Sequence, residues 1–130
     1  MIELEVFGRP VPQGSKKVIN GRIIEAQSGS LKKWRKAIEL ACKSHDKEIY
    51  LGPVRLEVDF YLERPKTVSF ASRPFPIKPP DLDKLVRGVG DGIGQSGVIW
   101  GDDSQIIEIA ARKFYADDRE TGAIIRIFPL

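Results

Sequence analysis

The segment GPVRLEVDFYLERP, residues 52–65, puts Val54, Leu56, Val58 and Phe60 at alternate positions. Alternation has a period of two, so these side chains share one face of an extended strand. A strand with one apolar face needs neighbouring strands and a layer to cover that face. The rest of the chain must supply both.

The neighbours are legible. IELEVF (2–7) alternates apolar and acidic residues, and SQIIEIAARKFYA (104–116) and GAIIRIFPL (122–130) read as strands joined by the polar turn DDRETG. VINGRII sets Asn20-Gly21 between β-branched residues, a hairpin signal. The cover is legible too. SGSLKKWRKAIELACKSH (28–45) carries Leu31, Trp34, Ile38, Ala41, Cys42 and His45 at helical spacing, with Ser28 or Ser30 as cap. DLDKLVRGVGDGI (81–93) is a second, shorter helix with Leu82, Leu85, Val86, Val89 and Ile93 on one stripe, weakened by Gly88 and Gly90. GRPVPQGSKK and the four-proline stretch KTVSFASRPFPIKPP are loops, and GQSGVIWGDD reads as loop and strand start. Strands and helices interleave without regular βα alternation. The expectation is an α+β (mixed α/β) fold, one small domain over residues 1–130, with a mixed sheet and two main helices.

No apolar run approaches the roughly 20 residues that span a bilayer. The N-terminus lacks the pattern of a signal peptide, and Cys42 is the one cysteine, so a cytoplasmic setting is expected. Net charge is +3, but it is uneven. Residues 1–50 hold ten Lys/Arg against six Asp/Glu, and the remaining eighty hold eleven against twelve. A basic front half suits phosphates, and an acidic back half suits cations; two ordinary solvated surfaces fit the same counts.

The acidic half has a pattern. Asp81 and Asp83 open the second helix, Arg87 follows Asp83 by one turn, and Asp91 continues further round. Asp102 and Asp103 follow Trp100 at the next strand. Each has a structural reading: Asp81 as cap, Asp83–Arg87 as an i,i+4 ion pair, Asp102–Asp103 as turn residues. Taken together, converging carboxylates with too few bases repel unless a divalent ion lies among them. An oxygen-only donor set suits Mg²⁺ or Mn²⁺, and one histidine and one cysteine cannot build a zinc site.

DLDKLVRGVGDGI followed by VIWGDDSQIIEIAARKFY resembles the core of the RusA-type Holliday junction resolvases (crossover junction endodeoxyribonucleases), and VPQGSKK resembles their N-terminal basic loop. The resemblance implies a homodimeric, Mg²⁺-dependent endonuclease that cuts four-way DNA junctions by paired nicks in recombination and repair. It implies Asp81, Asp83 and Asp103 as catalytic and metal-binding carboxylates, with Asp91 and Asp102 in support. Arg87 stands where the family usually has lysine. Arginine clamps a phosphate but is a poor proton donor, so a non-catalytic junction- or DNA-binding protein is the alternative. Lys16, Lys17, Lys32, Lys33, Arg73 and Lys78 are expected to contact DNA, next to Arg35 and Lys36 on the first helix. Phe70 and Phe75 read equally as wedges for branched DNA or as core. Trp34 and Cys42 read as core, His45 as a core or boundary residue, and Trp100 as core or dimer surface.

Overall fold

The computed structural model describes residues 1–14, 16–25, 28–45 and 49–130. Among them the order is β1 (Ile2–Phe7), β2 (Lys16–Ile19), β3 (Arg22–Glu25), α1 (Ser28–Lys43), β4 (Val54–Leu62), α2 (Leu82–Ser96), β5 (Ile106–Tyr115) and β6 (Gly122–Pro129). A single 3-10 turn, Asp103–Gln105, precedes β5.

Four strands form one sheet in the order β1-β6-β4-β5. β6 runs antiparallel to both β1 and β4, and β4 is parallel to β5. The sheet is therefore mixed, as expected. A parallel pair cannot be joined by a tight turn, and here α2 lies on the crossover from β4 to β5. β2 and β3 form a separate hairpin turned by Asn20 and Gly21, both at positive φ.

The alternating residues of β4 are buried as read: Val54, Leu56 and Phe60 are fully enclosed, with Val58 nearly so. They meet Ile125 and Ile127 of β6, Ile2 and Leu4 of β1, Trp34 and Ile38 of α1, and Leu85, Val89 and Ile93 of α2 in one core. Each large apolar side chain enclosed this way contributes about 1.5–3 kcal/mol relative to exposure. The other sheet face carries charged and aromatic side chains. Asp59 sits there between Arg112 (2.9 Å) and Arg126 (3.6 Å), and Arg119 lies 3.9 Å over the Tyr61 ring. The fold is thus two layers, helices on one face of the sheet.

Two local readings differ. α2 extends through Gly94–Ser96, which read as loop, and ends at Gly97 in the left-handed region. Asp103 lies in the 3-10 turn and not in a strand, which begins at Ile106. Trp100 is core, not dimer surface: it is 1% exposed.

Candidate active site

α2 carries the acidic row. Asp81 is its N-cap residue by backbone, and the Asp81 carbonyl accepts from Leu85 N at 3.1 Å. Its carboxylate makes no capping bond and stands 3.9 Å from Lys84 Nζ. Asp83 is exposed in the first turn, and among the described residues it forms no ion pair with Arg87. Eight residues of helix separate Asp83 from Asp91, a rise of about 12 Å.

The partner that Asp91 meets comes from outside the helix. The capping box at Asp102 shapes the approach. The Asp102 carboxylate accepts from Ser104 N (3.4 Å) and Ser104 Oγ, while Gln105 Oε1 accepts from Gly101 N (2.8 Å) and Asp102 N (3.1 Å). Gln105 Nε2 donates to the carbonyls of Tyr50 (2.8 Å) and Gly52 (2.9 Å), which ties the turn to the segment that leads into β4. The Ser104 bonds hold Asp102 below the usual carboxylate range. Asp102 is a structural residue of the turn, and the turn aims Asp103 at α2.

Asp103 lies against two glycines of that helix. A Cβ on Gly90 would sit 3.6 Å from Asp103 Oδ2, and one on Gly94 would sit 3.2 Å from Oδ1. Trp100 Nε1 donates to Asp103 Oδ1 at 3.1 Å. Burial pushes the Asp103 carboxyl above its ordinary value; the Trp100 bond opposes this, and the neighbouring Asp91 reinforces it. Asp91 and Asp103 are therefore a like-charged pair in contact. They line a hollow of about 300 Å³ with Arg35, Gly94, Gln95, Gly101 and Asp102.

A third element locks the pair. The loop after β1 crosses α2: Gln13 N donates to Lys84 O at 2.9 Å, and the Val11 carbonyl lies where a Cβ on Gly88 would be 3.1 Å away. Gln13 Nε2 donates to Asp91 Oδ2, and Gln13 Oε1 accepts from Arg35 Nη1 of α1 at 3.1 Å. Gly14, at φ 101°, lets the chain pass the Arg87 guanidinium; a Cβ there would come within 2.8 Å of Nη1. Arg87 thus borders the same loop. Gln13 was not singled out as a site residue, and no spacing rule points to an isolated glutamine; Arg35 was read only as part of the basic stretch of α1. The glycines did carry a signal, since helix interiors disfavour them.

The expected carboxylates divide into two groups. Asp91 and Asp103 are together; Asp81 and Asp83 stand at the far end of α2, where Asp81 lines a separate cleft of about 680 Å³ with Arg9, Glu63, Pro80 and Lys84. Among the described residues no group of three or more His, Cys, Asp or Glu side chains is placed to hold a metal ion. The donor chemistry of the Asp91–Asp103 pair nevertheless fits a hard divalent cation, because the pair offers oxygens only.

The basic residues are distributed. Lys32 lines a hollow with Arg35, Lys36 and Gln95, two of which also border the acidic hollow. Lys33 lines a different one, with Arg9 and Trp34. Arg73 is used internally, its Nε donating to Tyr115 Oη at 2.9 Å, and Lys78 is exposed. Lys16 and Lys17 lie in β2, and their side chains fall outside the described residues. Burial pushes the Cys42 thiol up to about 11, which leaves it a buried apolar group. No helix among the described residues is long and apolar enough to cross a membrane.

Residues 8–127 match the family described as Endodeoxyribonuclease RusA. The uncharacterized protein YqaN of Bacillus subtilis (strain 168) is 30% identical over 137 aligned residues, covering 96% of this chain and 95% of that protein. The chain belongs to the RusA endodeoxyribonuclease family.

Proposed function

We propose that the protein is a Mg²⁺-dependent, structure-selective endonuclease that resolves four-way DNA junctions by paired nicks, working as a homodimer in the cytoplasm. The observation that carries this is the Asp91–Asp103 pair, held by Trp100 and Gln13 beside Arg35 of α1. A divalent ion, Mg²⁺ or Mn²⁺, bound there supplies charge neutralisation at the phosphate and a more acidic water. Asp103 and Asp91 would hold it at one end of α2, with Asp81 and Asp83 as catalytic carboxylates at the other end, as the family resemblance implies.

The chain's own groups do the rest. Trp100 fixes one oxygen of Asp103 and leaves the other toward Gly90. Gln13 orients Asp91 and is itself held by Arg35. Arg87 offers a guanidinium, which stabilises anionic phosphate and is a poor proton donor. Lys32, Lys36 and Arg35 provide sequence-independent phosphate contacts. One acidic site cuts one strand, so paired nicks call for two copies related by a two-fold axis. The hairpin, with Val18 and Ile23 exposed as cross-strand partners, is apolar surface available for that contact.

A second reading, a DNA-binding protein without catalysis, is favoured by the distance of Asp81 and Asp83 from Asp103. A synthetic junction incubated with and without Mg²⁺ separates the two. Cleavage only with Mg²⁺ supports the nuclease; a mobility shift without cleavage supports the binder. Light scattering at the same protein concentration reads the dimer, and a monomeric mass overturns the paired-nick scheme.

A further inference from the structure

The connection from β4 to α2, residues 63–80, contributes nothing to the acidic pair, yet it is strongly braced. Arg64 donates to both oxygens of Asp117 (2.7 and 2.9 Å) and to the carbonyls of Ser69 (3.1 Å) and Arg73 (2.6 Å). Its guanidinium lies 4.2 Å from the Tyr115 ring centre and 5.7 Å from that of Phe70. At the other end, Lys113 Nζ donates to the carbonyls of Lys78 (3.1 Å) and Pro80 (2.9 Å). Cations from within and from β5 thus consume loop carbonyls that water would satisfy in a loose segment.

What this bracing holds outward is apolar. Phe70 is 67% exposed, Phe75 59% and Ile77 76%. Large apolar groups on a fixed loop mark a contact surface more than a solvated connection. The charge around them decides the partner. Residues 63–80 carry Arg64, Lys66, Arg73 and Lys78 against one acid, Glu63, at the β4 end. A protein partner of ordinary composition does not need that bias, whereas nucleic acid combines flat apolar bases with phosphates. The loop also runs directly into Asp81 at the start of α2.

We propose that Phe70 and Phe75 form a stacking platform for bases that come unstacked at a DNA branch point, with Lys66 and Lys78 on the flanking phosphates. This rests on the reading of the protein as a branched-DNA nuclease and gives that reading its structure selectivity. In a linear duplex the bases are stacked on one another and offer no free face; at a branch they can be received by an aromatic ring.

The test uses the full chain without divalent ions, so that binding is read apart from cutting. The probes are a four-way junction with 2-aminopurine at the crossover and a linear duplex of equal length. Phe70→Ala/Phe75→Ala is expected to weaken junction binding by about ten-fold or more, to leave duplex binding unchanged, and to abolish the 2-aminopurine fluorescence change that the parent produces. Phe75→Ala alone keeps the Arg64–Phe70 contact and should show a partial loss, and Phe70→Trp/Phe75→Trp should restore binding. Equal weakening on both DNAs, or none on either, overturns the proposal. A fall in oligomer mass caused by the same substitutions overturns it in favour of an interface between copies. Junction cleavage by the parent in Mg²⁺, measured separately, judges the nuclease reading: cleavage that is indifferent to the loop refutes the platform alone, and loop-dependent fluorescence without cleavage refutes the nuclease alone. No binding of any DNA by the parent refutes both.

Discussion

Asp103→Asn should make the metal-free protein more stable while removing its activity. Ionised Asp103 is opposed by its burial and by Asp91. Asparagine keeps an oxygen for the Trp100 indole and puts an amide donor toward Asp91. Relief of the repulsion, reduced by water access to the hollow, is worth about 0.5–1 kcal/mol, and a new hydrogen bond to a carboxylate about 1 kcal/mol. For a chain of 130 residues, a gain of about 1–2 kcal/mol raises Tm by about 4–7 °C. The sign fixes the pH window. A carboxyl raised in the folded state favours folding only while protonated, so its contribution is present below the ordinary value of 3.8 and is lost as pH rises through the folded value. The variant's advantage should therefore be small near pH 3.5 and open fully by pH 7. Thermal melts in chelator across that range measure it. Added Mg²⁺ should raise Tm of the parent and much less that of the variant, by mass action on the folded state. An Asp103→Asn protein that melts at or below the parent at pH 7, or whose advantage is the same at pH 3.5, refutes the coupled pair.

Three further outcomes follow from the same geometry. Asp83→Asn should abolish junction cleavage while binding in a gel survives; near-parental cleavage would show that only the Asp91–Asp103 end of α2 is catalytic. Arg87→Lys should keep substantial activity and Arg87→Ala lose most of it in a junction cleavage assay, because the role asks for a cation near phosphate and no proton. Gln13→Ala removes the donor on Asp91 and the acceptor for Arg35; it should lower Tm by about 4 °C and cleavage by about ten-fold or more, and an activity loss without any change in Mg²⁺ dependence would contradict its positioning of Asp91.

The layers of the fold were legible because each rests on a period. Alternation in β4 and the stripe through Leu31, Trp34 and Ile38 require burial of those faces whatever the tertiary detail, and both are buried. The loop at 63–80 shows the limit. Its prolines and lack of periodicity identify a loop, but its bracing depends on Asp117, Tyr115 and Lys113, 33 to 53 residues distant in sequence, which no local pattern can assign. Asp83 and Arg87 show the opposite error: helical spacing permits an ion pair, but an exposed pair gains so little in water that spacing alone does not create it.

The acidic pair was harder, for a physical reason. The resemblance joins Asp103 to Asp81 and Asp83 and leaves Asp91 and Asp102 in support. A helix turns nearness in sequence into distance along an axis, and a capping turn gives two adjacent aspartates opposite tasks. Asp102 is held in its own turn by Ser104, so only Asp103 reaches α2. The glycines of α2 bear on the same point. Read as weaknesses, each costs about 1 kcal/mol of helix propensity relative to alanine. In the structure they are sites of close approach: Gly88 to the Val11 carbonyl, Gly90 and Gly94 to the Asp103 carboxylate, and Gly92 to Ile38, where a Cβ would meet side-chain carbons at 3.0 Å. Their spacing of two lets one short helix receive neighbours on several sides. The N-terminal loop docks at Gly88, α1 packs at Gly92, and the carboxylate from before β5 settles between Gly90 and Gly94. A helix of better formers would be more stable alone, but a Cβ at Gly88, Gly92 or Gly94 would press on the Val11 carbonyl, Ile38 or the Asp103 carboxylate, and the packing that brings Asp103 beside Asp91 would have to shift.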